Sequence, residues 1–238
     1  MSLLINNDLI WISIPKNASY SVENALLNSN LKVKLSNGYK KKYIDKTKFE
    51  LIHTHIPLSS LFDEFGKKET FCINRDYSQR WLSSLSQILK QLKLLDMNLI
   101  IDWKDIDNEF IYNFFDNETI RDINCNENEI NYLKKLVSNN SIEHKDFEQV
   151  QFKMLWNLLV SQNYWKLNNK CTYEFDINEM DKFETFIKNR YGVNIKVPKL
   201  NEGLGYKISD SNIKLDEKLK NWIWENFEVP FVKSNSLI

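Results

Sequence analysis

The chain is poor in several things that would narrow its chemistry at once. Its 238 residues include three cysteines, at 72, 125 and 171. They are odd in number and far apart, so they provide neither a disulfide framework nor a zinc-type pair. One sign of charge does not dominate: Lys+Arg and Asp+Glu number 32 each, for a net charge of zero. That excludes a general nucleic-acid coat and a polybasic membrane binder, while leaving room for a local basic pocket. No stretch approaches the roughly 18 apolar residues of a membrane span. The opening MSLLINNDLIWISIP has no basic segment and no small-residue cleavage site. The expectation is a soluble, cytoplasmic chain with reduced thiols. Internal repeats and low-complexity linkers are absent too. What is present, 42% hydrophobic and 27% charged residues, suits a packed core in a single domain over 1–238.

Arginine is scarce in an informative way. There are 28 Lys and only four Arg, at 75, 80, 121 and 190. Asn is common as well, the pattern of an AT-rich coding background. Arg75 and Arg80 stand within six residues of each other, where plain positive charge could have come from Lys.

The hydrophobic pattern alternates strands with helices. Leu9–Ile14 is a short apolar run stopped by Pro15 and reads as a buried strand. Val22, Ala25 and Leu26 then fall at helical spacing, with Glu23 placed in the first turn. Residues 36–50 are polar and basic, a loop or excursion. Leu51-Ile52 begins a brief strand ending at His53-Thr54-His55-Ile56-Pro57. Thr70–Asn74 is another strand, and Asp76 with Gln79 forms a capping box before the stripe Trp81, Leu85, Ile88, Leu92 and Leu95. Further stripes occupy 106–114, 130–137 and 147–165. Cys171–Phe175 reads as a strand, 183–191 as a helix closed by Gly192, 201–207 as a glycine-bearing loop, and 215–227 as a last helix. Such alternation favours a parallel α/β sheet, with ligands beyond the carboxyl ends of its strands.

Two segments follow strand ends with anion-binding chemistry. In Pro15-Lys16-Asn17-Ala18-Ser19-Tyr20-Ser21, Lys16 is a cation, Asn17 tolerates left-handed backbone, and Ser19 and Ser21 carry hydroxyls ahead of a helix N-terminus. It is not a Walker A loop, since GxxxxGK[ST] is absent. The same residues read equally as a polar turn capping an ordinary helix. Arg75 offers a guanidinium fork and Ser83, eight residues on, a hydroxyl; Arg80 supports the same helix or pairs with Asp76. Alone, that segment reads as a helix with a surface ion pair. Beside the first loop, it completes two anion sites at two strand ends, as a nucleotide with phosphate at two positions requires.

Together PKNASYS (15–21) and INRDYSQRWLSSL (73–85) resemble the sulfotransferases that use 3′-phosphoadenosine 5′-phosphosulfate (PAPS). The resemblance implies a P-loop-like parallel sheet flanked by helices, with a helical insertion at 100–165. It implies that Lys16, Asn17, Ala18, Ser19, Tyr20 and Ser21 wrap the 5′ end of the donor, and that Arg75 and Ser83 hold its 3′-phosphate. Tyr77 stands where that family usually has Pro, and Tyr20 where it usually has Thr. The stretch HTHIPLSSLFDEFG is similar to the histidine segment of the uronyl 2-O-sulfotransferases. By that likeness His55, or else His53, is the general base for an acceptor hydroxyl. By the same likeness the acceptor is a carbohydrate; a small metabolite, a lipid-linked sugar or a tyrosine side chain stay open. The resemblance also implies that Lys207, in the glycine-bearing loop, adds charge near the 3′-phosphate; the segment reads equally as a plain surface loop. No metal is called for, because His53 and His55 have no carboxylate or Cys at a suitable local spacing. His144 reads as a surface residue. The competing readings are a P-loop-type nucleotide kinase, which needs Mg²⁺ and a Walker A, and a nucleotide-binding relative without turnover. No feature of the sequence sets the oligomeric state.

Overall fold

The computed structural model describes residues 2–36, 58–94, 103–115, 158–167, 171–199 and 211–229. They form two compact units interleaved along the chain, one from Met1–Arg75 with Gln162–Glu202, the other from Asp76–Ser161 with Gly203–Ile238.

The first unit is an α/β layer structure. Its strands are β1 (Leu3–Ile5), β2 (Leu9–Ile12), β3 (Val33–Leu35), β4 (Glu69–Asn74) and β5 (Tyr173–Asp176), in the spatial order β3-β1-β2-β4-β5. Its helices are α1 (Ser19–Leu27) and α2 (Leu58–Phe65), then α5 (Gln162–Trp165) and α6 (Met180–Tyr191). Every residue of β2 is buried, as expected of a strand covered on both faces. Alternation sends Leu9 and Trp11 to one face and Ile10 and Ile12 to the other. The first face packs Phe71 and Ile73 of β4 with Val22 and Leu26 of α1 and Phe183 and Ile187 of α6. The second packs Cys72 with Leu58, Leu61 and Phe65 of α2 and Trp165 of α5.

The sheet is mixed, which corrects the expectation of a parallel one. β2–β4 and β4–β5 are parallel, whereas β1 pairs antiparallel with both β2 and β3. The turn Asn6-Asn7-Asp8 makes the β1–β2 hairpin. Asn6 and Asn7 take left-handed φ of 47° and 63°, which their short polar side chains tolerate. Asn6 also clamps the third strand in place, with Asn6 N–H donating to Lys32 O at 2.8 Å and Lys32 N–H to Asn6 Oδ1 at 2.9 Å. A three-residue strand ahead of this turn gives too short a run to register as alternation.

The second unit contains α3 (Tyr77–Leu94), a 3₁₀ turn at Trp103–Asp105, α4 (Asn108–Phe114), and α7 (Glu217–Ile223) running into a π turn at Trp224–Glu228. Trp81, Leu85 and Ile88 are buried as their spacing predicts, among Ile111, Phe115, Leu219, Ile223 and Phe227. Trp81 meets Phe115 and Phe227 at ring separations of 5.3 and 5.2 Å. One half of the expected cap is present: Asp76 Oδ1 accepts from Gln79 N–H at 3.0 Å. The strand expected at 171–175 lies at 173–176, and Gly192, at φ 69°, closes α6 as expected. Glu23 is corrected to the second turn of α1, where it is buried. The strand at 51–52, the stripe at 130–137 and the loop at 201–207 lie outside the described residues. No helix of the described residues is long and apolar enough to cross a membrane.

Arg80 is the other correction. It is fully buried and ion-paired with Glu228 at 3.5 Å, not set against Asp76 on a surface. Its guanidinium also donates to Leu158 O at 3.0 Å and Leu159 O at 3.3 Å, and Ser161 Oγ donates to the Glu228 carboxylate. A partner 148 positions away is invisible to local spacing. Removing one member of a buried pair strands the other charge, so Glu228→Ala is expected to destabilise by about 3–5 kcal/mol. The double change Arg80→Met with Glu228→Leu is expected to be much milder, both read by denaturant unfolding. In the first unit, Arg190 bridges Asp8 at 2.9 Å and Glu69 at 2.6 Å. Burial opposes ionisation of Asp8, but hydrogen bonds from Arg190 and Tyr191 outweigh it and leave its carboxyl below its usual 3.8. Hydrogen bonds from Tyr173 and Arg190 hold Glu69 below its usual 4.5. Carboxyls with lowered folded-state values stabilise fully above the ordinary ones and lose that contribution as pH falls through the lowered ones. Thermal unfolding of Arg190→Leu is therefore expected to show a shallower loss of stability on acidification below about pH 4.5 than the parent chain.

Candidate functional site

Strand β2 leaves the core through Ser13, Ile14 and Pro15, all buried, and turns at Lys16-Asn17-Ala18 into α1. Lys16 and Ala18 have φ of 65° and 57°, left-handed on either side of Asn17. Each such non-glycine residue costs about 1–2 kcal/mol. Alternating handedness of this kind is the backbone pattern of anion nests, here with the Asn17 N–H turned back to Ile14 O.

No side chain caps the helix behind it. The N-cap of α1 is Ala18, which has no side-chain acceptor, and no side-chain cap bond is made. A Ser, Asp or Asn there would add about 1 kcal/mol. The first turn carries no acidic residue, so no carboxylate of its own answers the positive dipole end.

Side chains hold this strained loop from below. Asn17, only 2% exposed, donates from Nδ2 to Ile73 O at 2.8 Å and to Gln162 Oε1 at 3.0 Å. Its backbone N–H donates to Ile14 O at 3.3 Å. Ser19 Oγ donates to the same carbonyl at 2.6 Å. Asn17 and Ser19 thus shape the loop from within, while Lys16 is half-buried, Tyr20 is 51% exposed and Ser21 is buried.

Arg75 follows the last residue of β4, the strand parallel to β2. Its Nη1 donates to Lys16 O at 3.2 Å, which brings the two segments singled out in the sequence into direct contact. The Arg75 guanidinium therefore lies against the Lys16 backbone at one end of the sheet, in a chain with no net charge. The nearby carboxylate of Glu174, on β5, is engaged by Lys166 Nζ at 3.0 Å and by Asn74 Nδ2.

Gln162 has no signal in the sequence, yet it is central to this cluster. Besides accepting from Asn17, its amide accepts from Arg75 N–H at 3.4 Å and donates to Arg75 O at 2.9 Å. Ser83 is half-buried on α3 of the second unit. His53, His55, His144 and Lys207 lie outside the described residues. Among the described residues no group of three or more His, Cys, Asp or Glu side chains is arranged to hold a metal ion. In comparisons with known proteins, no family model, no curated protein and no solved structure matches the chain.

Proposed function

We propose that this chain is a sulfotransferase that moves a sulfuryl group from PAPS to an acceptor hydroxyl, with carbohydrate as the acceptor class. The observation that carries the reading is the contact of Arg75 with the left-handed loop at Lys16. Two anion-binding segments at the ends of adjacent parallel strands suit a nucleotide charged at both 5′ and 3′ positions.

In this reading the N–H groups at the start of α1 cradle the 5′-phosphosulfate. Lys16 neutralises the charge that builds on the 5′-phosphate oxygen as its bond to sulfur breaks. Arg75 supplies a planar fork for the 3′-phosphate. The acceptor oxygen forms a new bond to sulfur, and its proton passes to His55 or His53. Positioning and electrostatics supply most of the rate, as in phosphoryl transfer. The lack of a side-chain cap or first-turn carboxylate on α1 supports the reading. So does the strain at Lys16 and Ala18, since strain of this kind concentrates at functional loops.

Calorimetric titration tests the donor site. The spent donor, 3′-phosphoadenosine 5′-phosphate, is expected to bind at least roughly a hundredfold tighter than ADP, an advantage of about 2.7 kcal/mol. Arg75→Ala is expected to remove most of that preference. Equal binding of the two nucleotides would exclude the assignment. Turnover of PAPS with a panel of carbohydrate acceptors tests the chemistry. Lys16→Ala is expected to lower the rate by about 10²–10³, as for loss of one charge-stabilising donor, without any dependence on added Mg²⁺. A Mg²⁺ requirement would point instead to phosphoryl transfer.

A further inference from the structure

We infer that Gln162 is the positioning residue that fixes the separation of the two anion-binding segments, and through it the preference for a ligand carrying a 3′-phosphate. The inference rests on the donor reading above.

The geometry is specific. The side-chain amide of Gln162 lies against the Arg75 peptide and makes both possible bonds, Nε2 to the carbonyl at 2.9 Å and Oε1 from the N–H at 3.4 Å. The same Oε1 takes Asn17 Nδ2 at 3.0 Å. One amide oxygen therefore accepts from the 5′ loop and from the residue proposed to bind the 3′-phosphate. Asn17 stands between the two left-handed residues, so anchoring its side chain restrains the torsions that form the nest. Its second bond, to Ile73 O, ties the loop two residues upstream of Arg75. Beside this relay, the long Arg75 side chain donates to Lys16 O. That side chain is also the group proposed to engage the ligand, so it cannot act as the fixed reference.

A nucleotide with phosphates on both sides of one ribose presents two anions at a nearly constant spacing. A site gains from both only if their receptors are held within a fraction of an ångström. ADP, with no 3′-phosphate, does not sense that spacing. Loss of the Gln162 amide is therefore expected to act on discrimination more than on affinity in general. A merely structural role would weaken both ligands alike, or lower thermal stability alone.

The test is calorimetry of 3′-phosphoadenosine 5′-phosphate and of ADP on the full chain, on Gln162→Met, on Arg75→Ala and on the double variant. Gln162→Met is expected to cut the preference for the 3′-phosphorylated ligand about tenfold while ADP affinity changes less than about threefold. In the Arg75→Ala background the same change is expected to leave the ratio where it stands, because its effect runs through Arg75. Should Gln162→Met fail to fold by circular dichroism, Gln162→Asn, whose shorter amide cannot reach both segments, is expected to shift the ratio in the same direction. If the parent chain prefers the 3′-phosphorylated ligand and the Gln162 variants keep that preference, or lose both ligands equally, only the role of Gln162 is overturned. If the parent chain shows no preference, the donor reading falls and this inference with it.

Discussion

Parallel pairing of β2 with β4 is the constraint on which the first unit depends. It sets Ile12 beside Cys72, so both chains leave the sheet at the same end. Antiparallel neighbours would have sent the Lys16 loop and Arg75 to opposite ends of the layer. Parallel strands need a crossover between them and cover on both faces. Here α1 and α6 cover one face, and α2 and α5 the other. The apolar composition of β2 and of Phe71–Ile73 in β4 follows from that double burial. A loop that must be held in an unfavourable backbone conformation is thus attached to a strand buried along its whole length.

The loop itself departs from what local stability favours. Ala18 is a poor helix cap, and Lys16 and Ala18 occupy a backbone region that glycine would fill at no steric cost. Internal hydrogen bonds from Asn17 and Ser19 offset part of this. Local preference and tertiary structure disagree at Lys16 and Ala18, and natural sequences tend to show such disagreement where they bind or react. In the second unit a buried charge at odds with its apolar surroundings is Arg80, whose terminal nitrogens are met by Glu228 and two carbonyls.

Much of the architecture could be read directly. The buried runs of β2 and β4, the helix beginning at Ser19, the amphipathic stripe of α3 and the glycine stop of α6 all follow from periodicity and turn chemistry that act over a few residues. The antiparallel edge was not legible, because β1 and β3 span three residues each and their pairing depends on an Asn-rich turn rather than on alternation. The pairing of Arg80 was not legible either, since a charge pattern carries no information about partners distant in sequence.

By itself, the sequence determined which segments carry residue types suited to an anion: Lys16 through Ser21 after one strand, Arg75 after another. Those are properties of residue type and short spacing, which survive without a fold. Only the tertiary structure decided that Lys16 and Arg75 touch, that Asn17 faces inward, and that Gln162 joins the two segments. Gln162 lies 145 positions from Asn17 and 87 from Arg75. A neutral amide has no preferred periodicity and no motif, so its meaning comes from the directional bonds that folding brings within reach.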